Sequence, residues 1–183
     1  PLHDPSRPVA PSRGRLRPLG IREVRITGGF WADRQQVNAS ATLGHCLSWM
    51  ERLGWVGNFR AAGEGRIAES RAGREFSDSE IYKLSEAMAW EAARSGDAAV
   101  EGTIDKIAGE VATVQEPDGY LNTAFGRPGQ RPRYSDLEWG HELYCYGFLI
   151  QAGVAQARVS GSSALLETAT RAADHVCRAF GTG

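Results

Sequence analysis

Between Leu143 and Ala157 the chain carries no charged residue, and only Gln151 and Gln156 interrupt a run of apolar, aromatic and small side chains. A helix with so little polar surface must bury nearly its whole circumference, which predicts an inner helix with other helices packed around it. It is too short to span a bilayer, which takes about 20 apolar residues, and Arg158 and Gly161 stop it. Upstream, the helix is expected to begin near Glu138. That start gathers Glu138, His141 and Glu142 at the N-terminal end, where backbone N–H groups are free and a cavity can open.

With 183 residues, 42% of them hydrophobic and 23% charged, the chain is long enough for one domain with its own core. A formal net charge of −1 leaves no basic footprint for nucleic acid beyond the scattered Arg7, Arg13, Arg15 and Arg17. Cys46, Cys145 and Cys177 are odd in number and far apart, which argues against a disulfide framework and a local zinc motif. Free thiols lean toward a cytoplasmic setting. No secretory signal is recognisable, and the chain opens on Pro1, so a preceding segment is compatible with the sequence. Residues 1–20, with five prolines, read as a flexible leader. Ile21, Val24 and Ile26 suggest a short strand or extended arm, docked on the body by Phe30 and Trp31.

From Trp31 the pattern becomes helical through Val37, Ala41, Gly44, Leu47 and Met50, with Gly54 and Gly57 as stops. Residues 58–76 are rich in Gly and charge and read as a long excursion. Ser77-Asp78-Ser79-Glu80 has the form of a capping box ahead of Ile81, Leu84, Met88 and Ala92. Gly96 and Asp97 end that helix and open another with the apolar face Val100, Ile104, Ile107, Ala108 and Val111. The unit recurs 65 residues later, placing Ser160-Gly161-Ser162 over Ser95-Gly96-Asp97 and Leu165, Ala169, Ala172, Ala173 and Val176 over the same apolar face. Repeated helix pairs with one deeply buried member predict an all-α layered toroid or solenoid.

Several groups on this frame carry chemistry. After the Pro117-Asp118-Gly119 turn, Tyr120 and Asn122 would share a face if extended, offering an aromatic platform beside an amide, a pair suited to a sugar. Local chemistry equally allows a turn whose Tyr packs and whose Asn caps the backbone. His141 with Glu138 and Glu142 could serve acid and base work, although Glu138 reads more simply as a solvated helix start. Glu142 precedes an apolar run, so its charge needs a partner such as Arg60 or Arg133. Cys145 follows His141 by four residues, but a thiol in an apolar helix is ordinarily inert. There is no phosphate-cradling Gly loop, zinc spacing or nucleophile elbow.

Four blocks together resemble the N-terminal half of the catalytic domain of glycoside hydrolase family 127, the β-L-arabinofuranosidases: Ser77-Asp-Ser-Glu-Ile-Tyr-Lys83, Gln115-Glu-Pro-Asp-Gly-Tyr-Leu-Asn-Thr123, His141-Glu-Leu-Tyr-Cys145 with Gly147, and Ala173-Asp-His175 before Phe180. The resemblance implies an incomplete (α/α)6 toroid over residues 21–183, with β-sandwich modules following in the family. It also implies retaining hydrolysis of terminal β-L-arabinofuranosides of plant glycans. His141 would line the sugar subsite, with Glu142, Asp78, Tyr120 and Asn122 near the same cavity. Relatives often carry His where this chain has Phe148. The family's zinc-bound cysteine nucleophile, its acid/base glutamate and its zinc ligands would all come after Gly183, so the chain is expected to be a fragment that binds no zinc and is inactive alone. Its inner helices would then expose apolar surface. A carbohydrate is the implied partner, no membrane is, and the family pattern leaves room for a homodimer of the full-length protein. The alternatives are a non-catalytic helical carbohydrate-binding or scaffold protein, or another (α/α)6 carbohydrate-active enzyme.

Overall fold

The computed structural model describes residue 10 and residues 12–181. Residues 1–9 and 11, most of the first half of the expected leader, lie outside the described residues, and 12–20 form no helix or strand. The described residues are helical, with one isolated bridge between Phe125 and Arg131. No helix among them is long and apolar enough to cross a membrane.

The first helix runs as α1 (Gly29–Val37), a π turn (Asn38–Thr42) and α2 (Leu43–Arg52). Gly54 stops it in the left-handed region at φ 77°, but Gly57 does not; it lies inside α3 (Trp55–Gly63). The expected excursion at 58–76 is therefore largely helical, continuing through α4 (Ile67–Ser70). Its Gly and charge content misled because Phe59, Ala61, Ala62 and Ile67 bury a face against the core. The arm at 21–26 forms no strand, since no neighbouring strand offers it a ladder, and Phe30 and Trp31 contact each other edge-on while remaining mostly exposed.

α5 (Ser77–Ser95) and α6 (Ala98–Thr113) form one hairpin, and α7 (Glu142–Ser160) and α8 (Ala164–Phe180) form the second. The repeat holds at atomic detail. Gly96 and Gly161 both adopt the left-handed conformation, φ 75° and 74°, and donate to Ala92 O and Ala157 O. Ser95 Oγ bonds Glu91 O and accepts Asp97 N–H at 3.2 Å; Ser160 Oγ bonds Gln156 O and accepts Ser162 N–H at 3.2 Å. Asp97 caps α6 through Ala99 N–H. α5 and α7 run side by side and parallel: Phe76 meets His141 at their starts, while Ala89 and Ala155 share a core cluster further along. α6 and α8 cover them from the other layer.

Two expectations about these helices need correction. The capping box does not form: Phe76 is the cap residue, Ser77 Oγ is buried without a partner, and Glu80 bonds Lys83 at 2.6 Å. The helix starts one residue early because Asp78 is drawn to a distant loop. α7 begins at Glu142, four residues later than expected, and is not buried all round. Cys145, Tyr146, Leu149 and Ala152 face the core, whereas Leu143, Tyr144, Ile150 and Val154 are 38–43% exposed, because α5 and α8 cover only part of its circumference.

Candidate functional site

The site is built around a loop, residues 114–141, folded over the starts of α5 and α7. Pro117-Asp118-Gly119 makes the expected turn, closed by Gly119 N–H to Glu116 O at 2.8 Å. Gly119 has φ 91° and lies against α8, where a Cβ would fall 2.3 Å from Arg171 O. From this turn the chain passes inward, and Tyr120 and Asn122 have no exposed surface. Tyr120 packs edge-on against Tyr134, Tyr146 and His175, with the Arg133 guanidinium 4.0 Å from its ring centroid. Asn122 Oδ1 accepts Ala124 N–H at 2.7 Å and Phe125 N–H at 3.2 Å. The pair does not form an exposed platform here; the Tyr packs and the Asn caps a turn.

Glu142 and Asp78 are the two buried carboxylates that hold this loop. Glu142 accepts Tyr120 Oη–H at 2.5 Å and Tyr134 N–H at 2.7 Å. Neither expected arginine pairs with it: Arg60 bridges Glu51 and Glu110, and Arg133 bridges Glu116 and Asp118. The buried carboxylate is satisfied by neutral donors that the fold brings close. Asp78 accepts Thr123 N–H at 2.8 Å and Thr123 Oγ1–H at 2.5 Å. Burial pushes both carboxyls above their ordinary values, against the pull of these hydrogen bonds.

The direction for Glu142 gives a pH prediction. A carboxyl raised in the folded state contributes stability fully below its unfolded value, 4.5, and loses it as pH rises through the higher folded value, because the folded chain must release a proton it holds more tightly. Wild-type stability, measured as the urea midpoint, should therefore decline over that window more than that of Glu142→Gln, whose side chain does not titrate. Parallel profiles for the two proteins would show that Glu142 titrates as in the unfolded chain.

Beyond the clasp, the chain surfaces at Asp136–His141. Asp136 Oδ1 accepts Trp139 N–H at 2.9 Å and its backbone carbonyl accepts Gly140 N–H at 2.8 Å. The Trp139 N–H and Arg131 hold the Asp136 carboxyl below its usual range. This tight turn delivers His141 in the left-handed region, φ 59°, uncommon for a residue with a Cβ and a feature that clusters at functional sites. His141 Nδ1–H donates to Trp139 O at 2.5 Å, so that tautomer leaves the Nε2 lone pair available. Its ring contacts Phe76 and Tyr144 edge-on. A cleft of about 600 Å³ opens here, lined by Arg74, Glu75, Phe76, Asp136, Trp139 and His141.

The aromatic row continues past the cleft. Tyr144 packs on Phe148, and Lys83 Nζ lies 5.0 and 4.5 Å from those two ring centroids while bonding Glu80 and Tyr144 Oη. Partial burial works against the Lys83 ammonium, but Glu80 and Tyr144 hold it above its ordinary value. Phe148 thus supplies a face for a cation.

Of the predicted site residues, only His141 reaches the cleft; the other four are buried, Tyr120 and Glu142 bonded to each other, Asp78 holding Thr123 and Asn122 capping the turn that follows it. Glu138 is exposed in the turn before it. Sequence reasoning missed Trp139, Phe76, Asp136, Arg74 and Lys83; a tryptophan in a polar Gly-containing loop was the available signal. Cys145 is buried, its thiol pushed up by burial and by Asp78, which suits packing and not nucleophilic attack. Cys46, Cys145 and Cys177 sit on different helices, and among the described residues no three His, Cys, Asp or Glu side chains gather to hold a metal ion. The described residues do not fit a zinc–thiolate centre.

Residues 23–182 match the family model of the β-L-arabinofuranosidase GH127 catalytic domain. The chain is 34% identical over 130 residues to the non-reducing end β-L-arabinofuranosidase of Bifidobacterium longum subsp. longum, a match covering 69% of this chain and 20% of that protein. It superposes on a GH127 β-L-arabinofuranosidase from Geobacillus stearothermophilus T6 with a TM-score of 0.81 at 29% identity, covering 87% of this chain and 26% of the other. A second GH127 β-arabinofuranosidase structure gives 0.79 at 29% identity over 86% of this chain and 26% of the other. The chain thus spans about a fifth to a quarter of these relatives.

Proposed function

Since the chain belongs to the GH127 β-L-arabinofuranosidase family, we propose that the protein carrying it hydrolyses terminal β-L-arabinofuranosides with retention, and that this region supplies one wall of the sugar site. The observation that carries the reading is His141: a strained, left-handed residue at the start of α7, its tautomer set by Trp139 O, in a cleft with an exposed tryptophan. His141 Nε2 accepts a sugar hydroxyl, and Trp139 offers its face to the C–H face of the ring. Asp78, Tyr120, Asn122 and Glu142 act one layer below as positioning residues that hold the loop presenting His141.

In this reading the two hairpins are part of an (α/α)6 toroid, with α5 and α7 as inner helices whose N-terminal ends border the cleft. The nucleophile, the acid/base and the zinc ligands are supplied by residues outside this chain. The 183 residues alone should be inactive.

The test is to express whatever reading frame continues past codon 183 and assay release of arabinose from a synthetic β-L-arabinofuranoside, with the α-anomer as control. His141→Ala should lower kcat/KM about tenfold to a hundredfold, the loss of one or two hydrogen bonds to sugar. No cleavage of the β-anomer by the longer product, or an unchanged His141→Ala variant, would sink the proposal.

A further inference from the structure

A second groove lies at the opposite end of α5. One part, about 640 Å³, separates the arm at Ile21–Ile26 from the turn at Ala93–Gly96. The adjoining part, about 510 Å³, is bordered by Trp31 and Trp90, and the two share Ile21, Ile26, Gln35 and Arg94. Both volumes fall in the range of small-molecule sites. Trp90 and Arg94 lie 14 and 18 positions beyond Phe76 on one helix, roughly 20–27 Å from the His141 cleft at about 1.5 Å per residue.

The charge of this groove departs from that of the chain. Arg22, Arg25, Arg34 and Arg94 line it, against a net charge of −1 for the whole sequence. The one carboxylate among the described lining residues, Glu91, is buried and held by Arg94 at 2.6 and 2.9 Å. Arg22 uses only its Nε, donating to Ala93 O at 3.0 Å, which ties the arm to the helix end. Arg25 is exposed and pairs with no carboxylate among the described residues. Between these cations stand two indoles, Trp31 at 68% exposure and the half-buried Trp90, with the side-chain amides of Gln35 and Asn38 beside them.

Guanidinium forks match carboxylates, amides match hydroxyls, and indole faces match the C–H faces of sugar rings. We propose that this groove binds an oligosaccharide whose rings carry carboxylates, holding an acidic stretch of glycan apart from the cleft at His141. The sugar half of this inference rests on the glycosidase reading; the anionic half rests on the arginines.

The test titrates the full 183-residue chain, followed by tryptophan fluorescence and calorimetry, with a galacturonic acid hexamer, a neutral hexasaccharide, inorganic phosphate and an oligothymidylate. The acidic hexamer should bind about tenfold or more tightly than each of the other three, a difference of about 1.4 kcal/mol or more. Trp31→Ala and Arg25→Glu, both at exposed positions and checked for intact helix content, should each weaken it by a similar factor, while His141→Ala should leave it unchanged. Equal binding of the neutral hexamer, equal or tighter binding of phosphate or oligothymidylate, no binding at all, or loss in His141→Ala instead of Trp31→Ala would overturn the proposal. Failure of the β-L-arabinofuranosidase assay would count against the glycosidase reading and leave the titration result to stand by itself.

Discussion

Asp78→Ala is expected to lose about 3–5 kcal/mol of stability, which for a chain of this size lowers Tm by roughly 6–20 °C. The side chain is 1% exposed and accepts two hydrogen bonds from one residue 45 positions away, Thr123 N–H and Thr123 Oγ1–H. Removing it strands both donors in the buried interior, where Thr123 has no exposed surface, so the cost includes their unmet desolvation as well as the bonds. Asp78→Asn should recover only part of the loss, because its amide can place an N–H against the Thr123 donors. Thr123→Val, which keeps the backbone bond, should cost less than either. In a double-mutant cycle the Asp78 and Thr123 effects should fall well short of additive. Urea denaturation of the five proteins, wild type, the three single variants and the double mutant, measures all of this, and an Asp78→Ala variant within about 1 kcal/mol of wild type would show that the clasp between α5 and the loop contributes little.

The second large effect is at Gly119, where Gly119→Ala should cost about 3–5 kcal/mol, the sum of backbone strain and overpacking. At φ 91° any side chain is strained, and here the added Cβ would sit 2.3 Å from Arg171 O and 3.2 Å from His175 Cβ. The obstructing atom is backbone in the middle of α8, so relief requires the turn and the helix to part. That also breaks the contacts of Asp118 O with His175 Nδ1 at 3.1 Å and Arg178 Nη2 at 2.7 Å. Gly161→Ala is the control: its φ of 74° is also left-handed, but nothing lies within 4 Å of the added Cβ, so about 1 kcal/mol of conformational cost is expected. Equal losses in the two variants would mean that the approach of the turn to α8 is not what Gly119 provides. Since this turn feeds the segment that ends in His141, Gly119→Ala should also disturb the cleft.

Much of the helical frame was legible because its signals are local. Gly96 and Gly161 end their helices through backbone conformation, Asp97 caps through its own side chain, and apolar residues three and four apart define the buried faces of α6 and α8. The 65-residue repeat could be seen for the same reason, since both hairpins solve one packing problem with one pattern. The helical excursion at 58–76 was hidden because Gly and charge content outweigh a short apolar face that only the core makes useful. The start of α7 was hidden because Glu138 and His141 have helical spacing but are held in a turn by Asp136, Trp139 and Gly140.

By itself, then, the sequence determined an all-helical chain of repeated pairs, the motif blocks of its family, and the need of Glu142 for a partner. The tertiary structure alone decided who that partner is and which motif residues meet solvent. Tyr120, 22 residues away, and Tyr134 satisfy Glu142 in place of an arginine, and Thr123 satisfies Asp78 across 45 residues. A buried polar group must be matched, but which donor matches it depends on which segments the packing brings within 3 Å, and neither spacing nor residue type encodes that distance.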